Sequence, residues 1–244
     1  MSGHSHWHSI KYQKALADQK RGKIFSKLSR EITIAAKEKG PNPETNPALR
    51  VAIERAKKFN MPKANIERAI KRGTGEIKGA QFESVIFEAY GPGGVALIIE
   101  GITDNRNRTL SEIKQILAQN NGKLASEGSV KWLFERKGCI CIDINSQEEF
   151  LKDKETLELK AIEAGAQDLN WIGDILEVYT RPEELEKTKK ELEKTGIKID
   201  RTSIDWVAKE KIEVEDTIKE ACERLFEDLD ENEAVQEIYS NLKQ

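Results

Sequence analysis

The spacing of apolar residues changes near Gly79, and this change decides what the 244-residue chain can fold into. Before Gly79 the apolar residues recur every three or four positions, as they do on one face of an α-helix. After Gly79, short apolar runs alternate with turn residues, as in β-strands. The pattern predicts an N-terminal helical domain followed by α+β structure. The longest uninterrupted aliphatic run, residues 95–99, is far shorter than the ~20 residues of a membrane-spanning helix.

Three helices are predicted in residues 1–79. The first runs to about Lys39, the second covers residues 49–56, and the third starts near Pro62 and ends at Gly73. The apolar stripe of the first helix consists of Ile24, Phe25, Leu28, Ile32 and Ala35. The residues before Lys20 have little periodicity and are predicted to form an arm.

The α+β part predicts two domains, one inserted in the other. Residues 139–208 have the element order β-α-β-β-α-β of a ferredoxin-like plait. Residues 80–138 predict only ββαβ, and residues 209–244 can supply the missing helix and strand. We therefore expect a basic arm and helical domain (1–79), a discontinuous ferredoxin-like α+β domain (80–138 and 209–244) and an inserted ferredoxin-like α+β domain (139–208).

Two local predictions belong to the discontinuous domain. A strand is expected at Val130–Glu135, and a helix is expected at about Thr109–Asn120. Thr109 and Glu112 have the spacing of a capping box, in which the two residues satisfy free N–H groups at a helix start.

Charge is distributed unevenly along the chain. Residues 1–79 hold 18 Lys or Arg and 7 Asp or Glu, a net charge of +11, whereas residues 80–244 have a net charge of −14. Because like charges repel, the basic excess is costly unless an anion binds it. The alternative is that two solvated faces segregate without a ligand. We predict that residues 1–79 bind nucleic acid and that the acidic domains bind protein or hold the basic domain in position.

The candidate nucleic-acid-binding residues combine cations with one aromatic ring. Cations neutralise phosphates and release counterions, and a flat ring can stack on a base. The candidates in the arm and first helix are Trp7, Lys11, Lys14, Lys20, Arg21, Lys23, Lys27 and Arg30. Those in the second and third helices are Lys57, Lys58, Lys63, Arg68, Lys71 and Arg72.

Arg106 and Arg108 lie in the segment T-D-N-R-N-R-T, between a predicted strand and a helix start. Free N–H groups and the helix dipole favour anions there, and a guanidinium matches phosphate geometry. Alternatively, Asp104 pairs with one of the arginines and the segment only caps the helix. The sequence leaves both interpretations open.

No enzyme, metal or cofactor is predicted. His4, His6 and His8 alternate in the arm, but an arm provides no groups to orient their rings around a metal. Cys139 and Cys141 would share one face of a strand and are expected to be buried apolar residues. The sequence contains neither a dinucleotide-binding nor a phosphate-loop motif, and no nucleophile–base constellation. With a polar N-terminus and three cysteines, we expect a cytoplasmic protein without disulfides and without a membrane partner.

Several blocks of the sequence resemble one family. They are G-H-S-H-W-H-S-I-K (3–11), R-G-K-I-F-S-K-L-S-R-E-I (21–32), N-P-A-L-R (46–50), N-M-P-K-A-N-I-E-R-A-I-K-R-G-T-G (60–75), Y-G-P-G-G-V-A (90–96), T-D-N-R-N-R-T (103–109) and G-S-V-K-W-L-F (128–134). The chain resembles the YebC/PmpR family of probable transcriptional regulatory proteins, which includes the mitochondrial translational activator of cytochrome c oxidase.

The resemblance implies a helical domain with two ferredoxin-like domains, and a non-enzymatic cytoplasmic regulator. Family members are described as binding promoter DNA, and other members look like ribosome-associated translation factors. We expect a DNA-binding transcriptional regulator. The alternative is a translation factor or translational activator that binds ribosomal RNA or the ribosome. A small-molecule sensor built on a plait domain is a further alternative, but no ligand is indicated.

Overall fold

The chain folds into two compact units. The structure is a computed structural model that describes residues 18–243, with side chains from residue 22 onward. The N-terminal unit contains residues 18–130 and 214–238, and the inserted unit contains residues 131–213 and 239–243. In the described part of the chain, no helix is long and apolar enough to cross a membrane.

Three helices begin the N-terminal unit: α1 (Asp18–Lys39), α2 (Pro47–Lys58) and α3 (Lys63–Gly73). The predicted stripe of α1 is buried against α2 and α3, so one apolar cluster holds the three helices together. Asn46 fixes the connection between α1 and α2. Its side-chain oxygen accepts from the N–H of Leu49 at 3.0 Å, and its amide donates to the carbonyls of Ala35 and Gly40 at 2.7 and 2.8 Å.

A four-stranded sheet completes the N-terminal unit. Its elements are β1 (Glu83–Tyr90), β2 (Ala96–Thr103), α4 (Arg106–Gln119), β3 (Lys123–Leu124), α7 (Asp216–Glu231) and β8 (Val235–Ser240). The strand order is β3-β1-β2-β8, with β1 and β2 paired as an antiparallel hairpin at the centre. Helices α4 and α7 pack on each other, and Asn120 at the end of α4 donates to Asp228 at 2.8 Å. The C-terminal segment thus supplies the helix and strand that residues 80–138 lack.

The inserted unit has the topology of a ferredoxin-like plait. Its elements are β4 (Phe134–Asp143), α5 (Lys154–Glu163), β5 (Asp168–Ile172), β6 (Ile175–Thr180), α6 (Leu185–Lys194) and β7 (Arg201–Ala208). The sheet order is β5-β6-β4-β7, and every neighbouring pair is antiparallel. Residues of β4 and β6 pack against α5 and α6 to form the core. The α+β fold with an N-terminal helical region is confirmed.

The strand predicted at Val130–Glu135 is wrong. Residues 131–133 form a 3₁₀ turn, and the third strand of the first sheet is the short β3. The strand predicted to end at Glu135 and the strand predicted to begin the inserted domain are one continuous strand, β4. Gly138 lies inside β4. A larger residue does not fit there, because a Cβ atom would be 2.9 Å from the Cβ of Leu185 and closer still to the Thr180 hydroxyl. The glycine therefore marks a close approach and not a turn.

The predicted capping box is also wrong. Helix α4 begins at Arg106, and its N-cap is Asn105, whose side chain accepts from the N–H of Arg108 at 3.1 Å. The hydroxyl of Thr109 is buried and lies 2.8 Å from that of Thr103. Asn is as good an N-cap as Thr, and the earlier cap lengthens the helix by nearly one turn.

Gly73 tests the close packing of α3 on α1. A Cβ atom at Gly73 would be 2.8 Å from the Cβ of Ala36 and closer to the carbonyl oxygen of Thr33, which is backbone and cannot rotate away. We expect Gly73→Ala to lower the free energy of unfolding by about 1–3 kcal/mol in urea titrations. The matched control is Gly22→Ala on α1, where a Cβ meets nothing within 4 Å. It should raise stability by about 0.5–1 kcal/mol. A Gly73→Ala protein as stable as the wild type would contradict this packing.

Candidate nucleic-acid interface

The predicted cations of the helical region fall into two groups in the structure. The α1 cations whose side chains are described, Lys23, Lys27 and Arg30, contact the acidic C-terminal segment, which runs from the end of α7 to the start of β8. Those on α2 and α3 face solvent, except for the half-buried Arg72. The two groups therefore have different electrostatic surroundings, although the sequence gives no reason to separate them.

Lys27 lies at the centre of the first group. Only 6% of its surface is exposed, and its Nζ donates to the carboxylate of Asp230 at 2.7 Å and to the carbonyl of the same residue at 2.9 Å. Asp230 is in the last turn of α7, where the helix dipole is negative and a carboxylate alone is unfavourable. Lys27 therefore neutralises a charge and satisfies a terminal carbonyl, and its contribution to nucleic-acid binding stays a prediction.

Arg30 and Lys23 make similar contacts. The guanidinium of Arg30 donates to Glu233 at 2.8 Å and to the carbonyl of Ile102 at 3.4 Å, and it lies 5.5 Å from the centre of the Phe82 ring. Lys23 pairs with Glu231 at the C-terminal end of α7. The acidic segment thus pairs with three cations of α1: Lys23, Lys27 and Arg30.

Arg55 of α2 also contacts the acidic C-terminal segment, although no sequence pattern predicts this contact. It lies between two carboxylates, with Glu31 of α1 at 3.5 Å and Glu237 of β8 at 3.1 Å. Burial raises the pKa of Glu31, and the nearby Arg55 opposes that increase. Glu237 is 182 residues away along the chain, so no local pattern could have indicated the pair.

The second group forms an exposed surface on α2 and α3, which we call the α2–α3 basic surface. It consists of Lys57, Lys58, Lys63, Arg68 and Lys71, all of which are exposed. Arg68 and Lys71 are three residues apart and share one face of α3. Arg72 is half-buried beside Gly79. Residues 47–73 hold eight Lys or Arg and two Glu, a net charge of +6, so the excess here is larger than the local carboxylates can neutralise.

A tight connection joins α2 to α3. The N–H of Met61 donates to the carbonyl of Ala56, and Asn60 has the left-handed φ of +56° that commonly follows a helix. Only four residues, Phe59 to Pro62, separate the two helices. The negative end of each helix dipole also favours cations. Lys57 and Lys58 lie at that end of α2, and Lys71 lies at that end of α3.

The structure separates the two arginines of the T-D-N-R-N-R-T segment. Arg108 lies 2.5 Å from Asp104 and 3.8 Å from Glu112, as the capping interpretation expects. Arg106 is exposed at the start of α4 and has no ion-pair partner among the described residues. Their contribution to nucleic-acid binding stays a prediction.

Some predicted residues cannot be placed. Trp7, Lys11, Lys14 and the three histidines lie outside the described residues, as do the side chains of Lys20 and Arg21. From residue 18 onward, no group of three or more His, Cys, Asp or Glu is arranged to hold a metal ion. Cys139 and Cys141 are buried, and burial raises the pKa of Cys141 to about 12 and that of Cys139 further. Neither thiol ionises at neutral pH.

Lys27 tests the structural role of the α1 cations. Lys27→Met should remove the cation that donates to the carboxylate and the carbonyl of Asp230, and we expect the free energy of unfolding to fall by about 1–3 kcal/mol. The double variant Lys27→Met/Asp230→Leu should recover most of that loss, because an apolar pair can replace a buried ion pair. Lys57→Met, on the exposed surface, is the control and should change stability by no more than about 0.5 kcal/mol. Equal effects of the two single variants would show that Lys27 is not a structural residue.

Comparisons with known proteins cover nearly the whole chain. A family model described as "TACO1/YebC protein N-terminal domain" matches residues 5–76, and one described as "TACO1/YebC second and third domain" matches residues 82–242. Two proteins named "probable transcriptional regulatory protein" are each 48% identical to this chain. The protein from Halothermothrix orenii aligns over 99% of this chain and 94% of its own length. The protein from Aquifex aeolicus aligns over 100% of this chain and 96% of its own length. The crystal structure of a conserved hypothetical protein from Aquifex aeolicus, 45% identical, superposes with a TM-score of 0.84 over 93% of this chain and 91% of its own. The chain therefore belongs to the TACO1/YebC family.

Proposed function

We propose that this protein is a non-enzymatic regulator that binds DNA through the α2–α3 basic surface. The observation that carries the proposal is the division of the cations. On α1, Lys23, Lys27 and Arg30 pair with carboxylates of the acidic C-terminal segment. Residues 47–73 have a net charge of +6, and of their cations Arg55 is paired with Glu31 and Glu237 whereas Lys57, Lys58, Lys63, Arg68 and Lys71 are exposed. The names of the family relatives from Halothermothrix orenii and Aquifex aeolicus support the regulatory role.

A polyanion is the ligand that suits such a surface. Each phosphate that a Lys or Arg neutralises releases condensed counterions, and this release provides most of the affinity of non-specific binding. The exposed side chains of Arg68 and Lys71 project from an 11-residue helix, about 16 Å long, which covers several phosphates along a strand. A small anionic metabolite would use only part of this surface.

The connection between α2 and α3 favours duplex DNA as the target. Four residues join the two helices, which is the turn length of helix-turn-helix proteins, and α1 packs against both helices. In that arrangement the second helix enters the major groove. Helix α3 would be this helix, with Arg68 and Lys71 on its exposed face.

Removing charge from the surface tests the proposal. We expect Lys57→Gln/Arg68→Gln/Lys71→Gln to weaken binding of a duplex DNA fragment at least tenfold near 0.1 M salt. The slope of log K against log salt should fall by about 0.9 for each phosphate that the variant no longer neutralises. The control Lys187→Gln/Lys190→Gln/Lys194→Gln removes the same charge from α6 of the inserted unit and should change neither quantity.

Two outcomes would count against parts of this assignment. Unchanged affinity and salt slope in the α2–α3 variant would remove the surface from the proposed function. Co-sedimentation with ribosomes at matched salt, tighter than duplex binding and equally reduced by the three substitutions, would keep the surface and replace DNA with ribosomal RNA as its target.

A further inference from the structure

Trp132 exposes its indole to solvent at the entrance to β4. Its exposed fraction is 65%, in the 3₁₀ turn of residues 131–133. The backbone at this position is held in place, because Nζ of Lys209 donates to the carbonyl of Trp132 at 2.9 Å. A single exposed apolar ring is common on protein surfaces, so the charges in its surroundings decide which ligand it suits.

Three cations belong to this turn and to the segments that adjoin it: Lys131, Arg136 and Lys209. Nζ of Lys131 lies 5.2 Å, and Cζ of Arg136 lies 4.9 Å, from the centre of the Trp206 ring, which is buried directly opposite Arg136 on β7. Lys131, the residue before Trp132, and Arg136 thus place two positive charges on the buried Trp206 ring, and Lys209 adds a third beside the Trp132 backbone. This basic cluster lies within the part of the chain, residues 80–244, that has a net charge of −14.

Phe150 shows that exposure alone does not explain the cluster. It is the other strongly exposed aromatic residue of the inserted unit, at 70%, but its neighbours in sequence are Glu148 and Glu149. Trp132, by contrast, directly follows Lys131 and has its carbonyl bound by Lys209, so an exposed flat ring and cations occur together in this turn. A ligand that has both flat rings and negative charge matches it, and single-stranded nucleic acid is such a ligand.

We propose that Trp132 stacks on an unpaired nucleobase of single-stranded DNA or RNA while Lys131 and Arg136 contact the neighbouring phosphates. The inserted unit is then a second nucleic-acid contact with a preference for unpaired bases. The inference shares the ligand class of the proposed function, but it depends on different residues in a different unit. It can therefore stand or fall separately from the α2–α3 basic surface.

Three 12-nucleotide probes separate stacking from charge: oligo-dT, oligo-rU and an abasic deoxyribose-phosphate strand. On the full chain, Trp132→Ala should weaken binding of oligo-dT or oligo-rU by roughly 5- to 100-fold, the range for loss of one stacked base. It should leave the abasic strand and duplex DNA unchanged. The probe with the larger loss identifies the source of the base. Trp132→Tyr should restore most of the affinity, since it keeps an aromatic face, and Phe150→Ala is the matched control without an effect.

Equal affinity of the wild type and Trp132→Ala for both base-containing strands would overturn the inference. So would an equal loss on the abasic strand, because the ring would then act through the backbone and not through a base. Lys57→Gln/Arg68→Gln/Lys71→Gln, measured in parallel, keeps the two proposals apart. If that variant binds like the wild type while Trp132→Ala weakens oligonucleotide binding, the α2–α3 assignment fails and the Trp132 site stands.

Discussion

The contact between α1 and the acidic end of α7 is the interaction on which the N-terminal unit depends. A segment with a net charge of +11 is costly to fold by itself, and the carboxylates of Asp230, Glu233 and Glu237 offset part of that cost from the other end of the chain. The contact joins the helical region to the sheet that β8 completes. It also explains why the chain must return to this unit after the insertion.

The same contact defines what remains available to a ligand. With Lys23, Lys27 and Arg30 paired, the exposed members of the predicted cations of the helical region lie on α2 and α3, and the Asn60 turn sets the connection between these helices. Counting basic residues overstates the number of phosphate contacts, because a cation at a domain contact and a cation on an open face look alike in sequence. Burial and partner distances separate Lys27 from Lys71, and the proposed function depends on that separation.

Local patterns predict much of this fold, and long-range contacts account for the errors. The three helices and the β-α-β-β-α-β order follow from periodicity, which neighbouring residues determine. The predicted domain boundary at residue 138 falls inside β4, because the close approach that requires Gly138 involves Leu185, 47 positions away. The sequence groups Lys27 with the exposed cations, because the partner of Lys27, Asp230, is 203 positions away. For Arg106 and Arg108 the sequence allows either phosphate binding or helix capping. Arg108 pairs with the nearby carboxylates of Asp104 and Glu112, as capping requires, and these ion pairs do not include Arg106.

Lysine footprinting tests whether DNA contacts the exposed lysines of α2 and α3 and not the paired lysines of α1, because one experiment compares both groups in the unaltered protein. The acetylation rate of each lysine would be measured by mass spectrometry with and without saturating duplex DNA. We expect DNA to protect Lys57, Lys58, Lys63 and Lys71, whereas Lys27 should react slowly in both states because it is buried against Asp230. The opposite result would contradict the assignment of DNA binding to the α2–α3 basic surface. In that result Lys27 reacts rapidly in the free protein and is protected by DNA, whereas the reaction rate of Lys71 is unaffected.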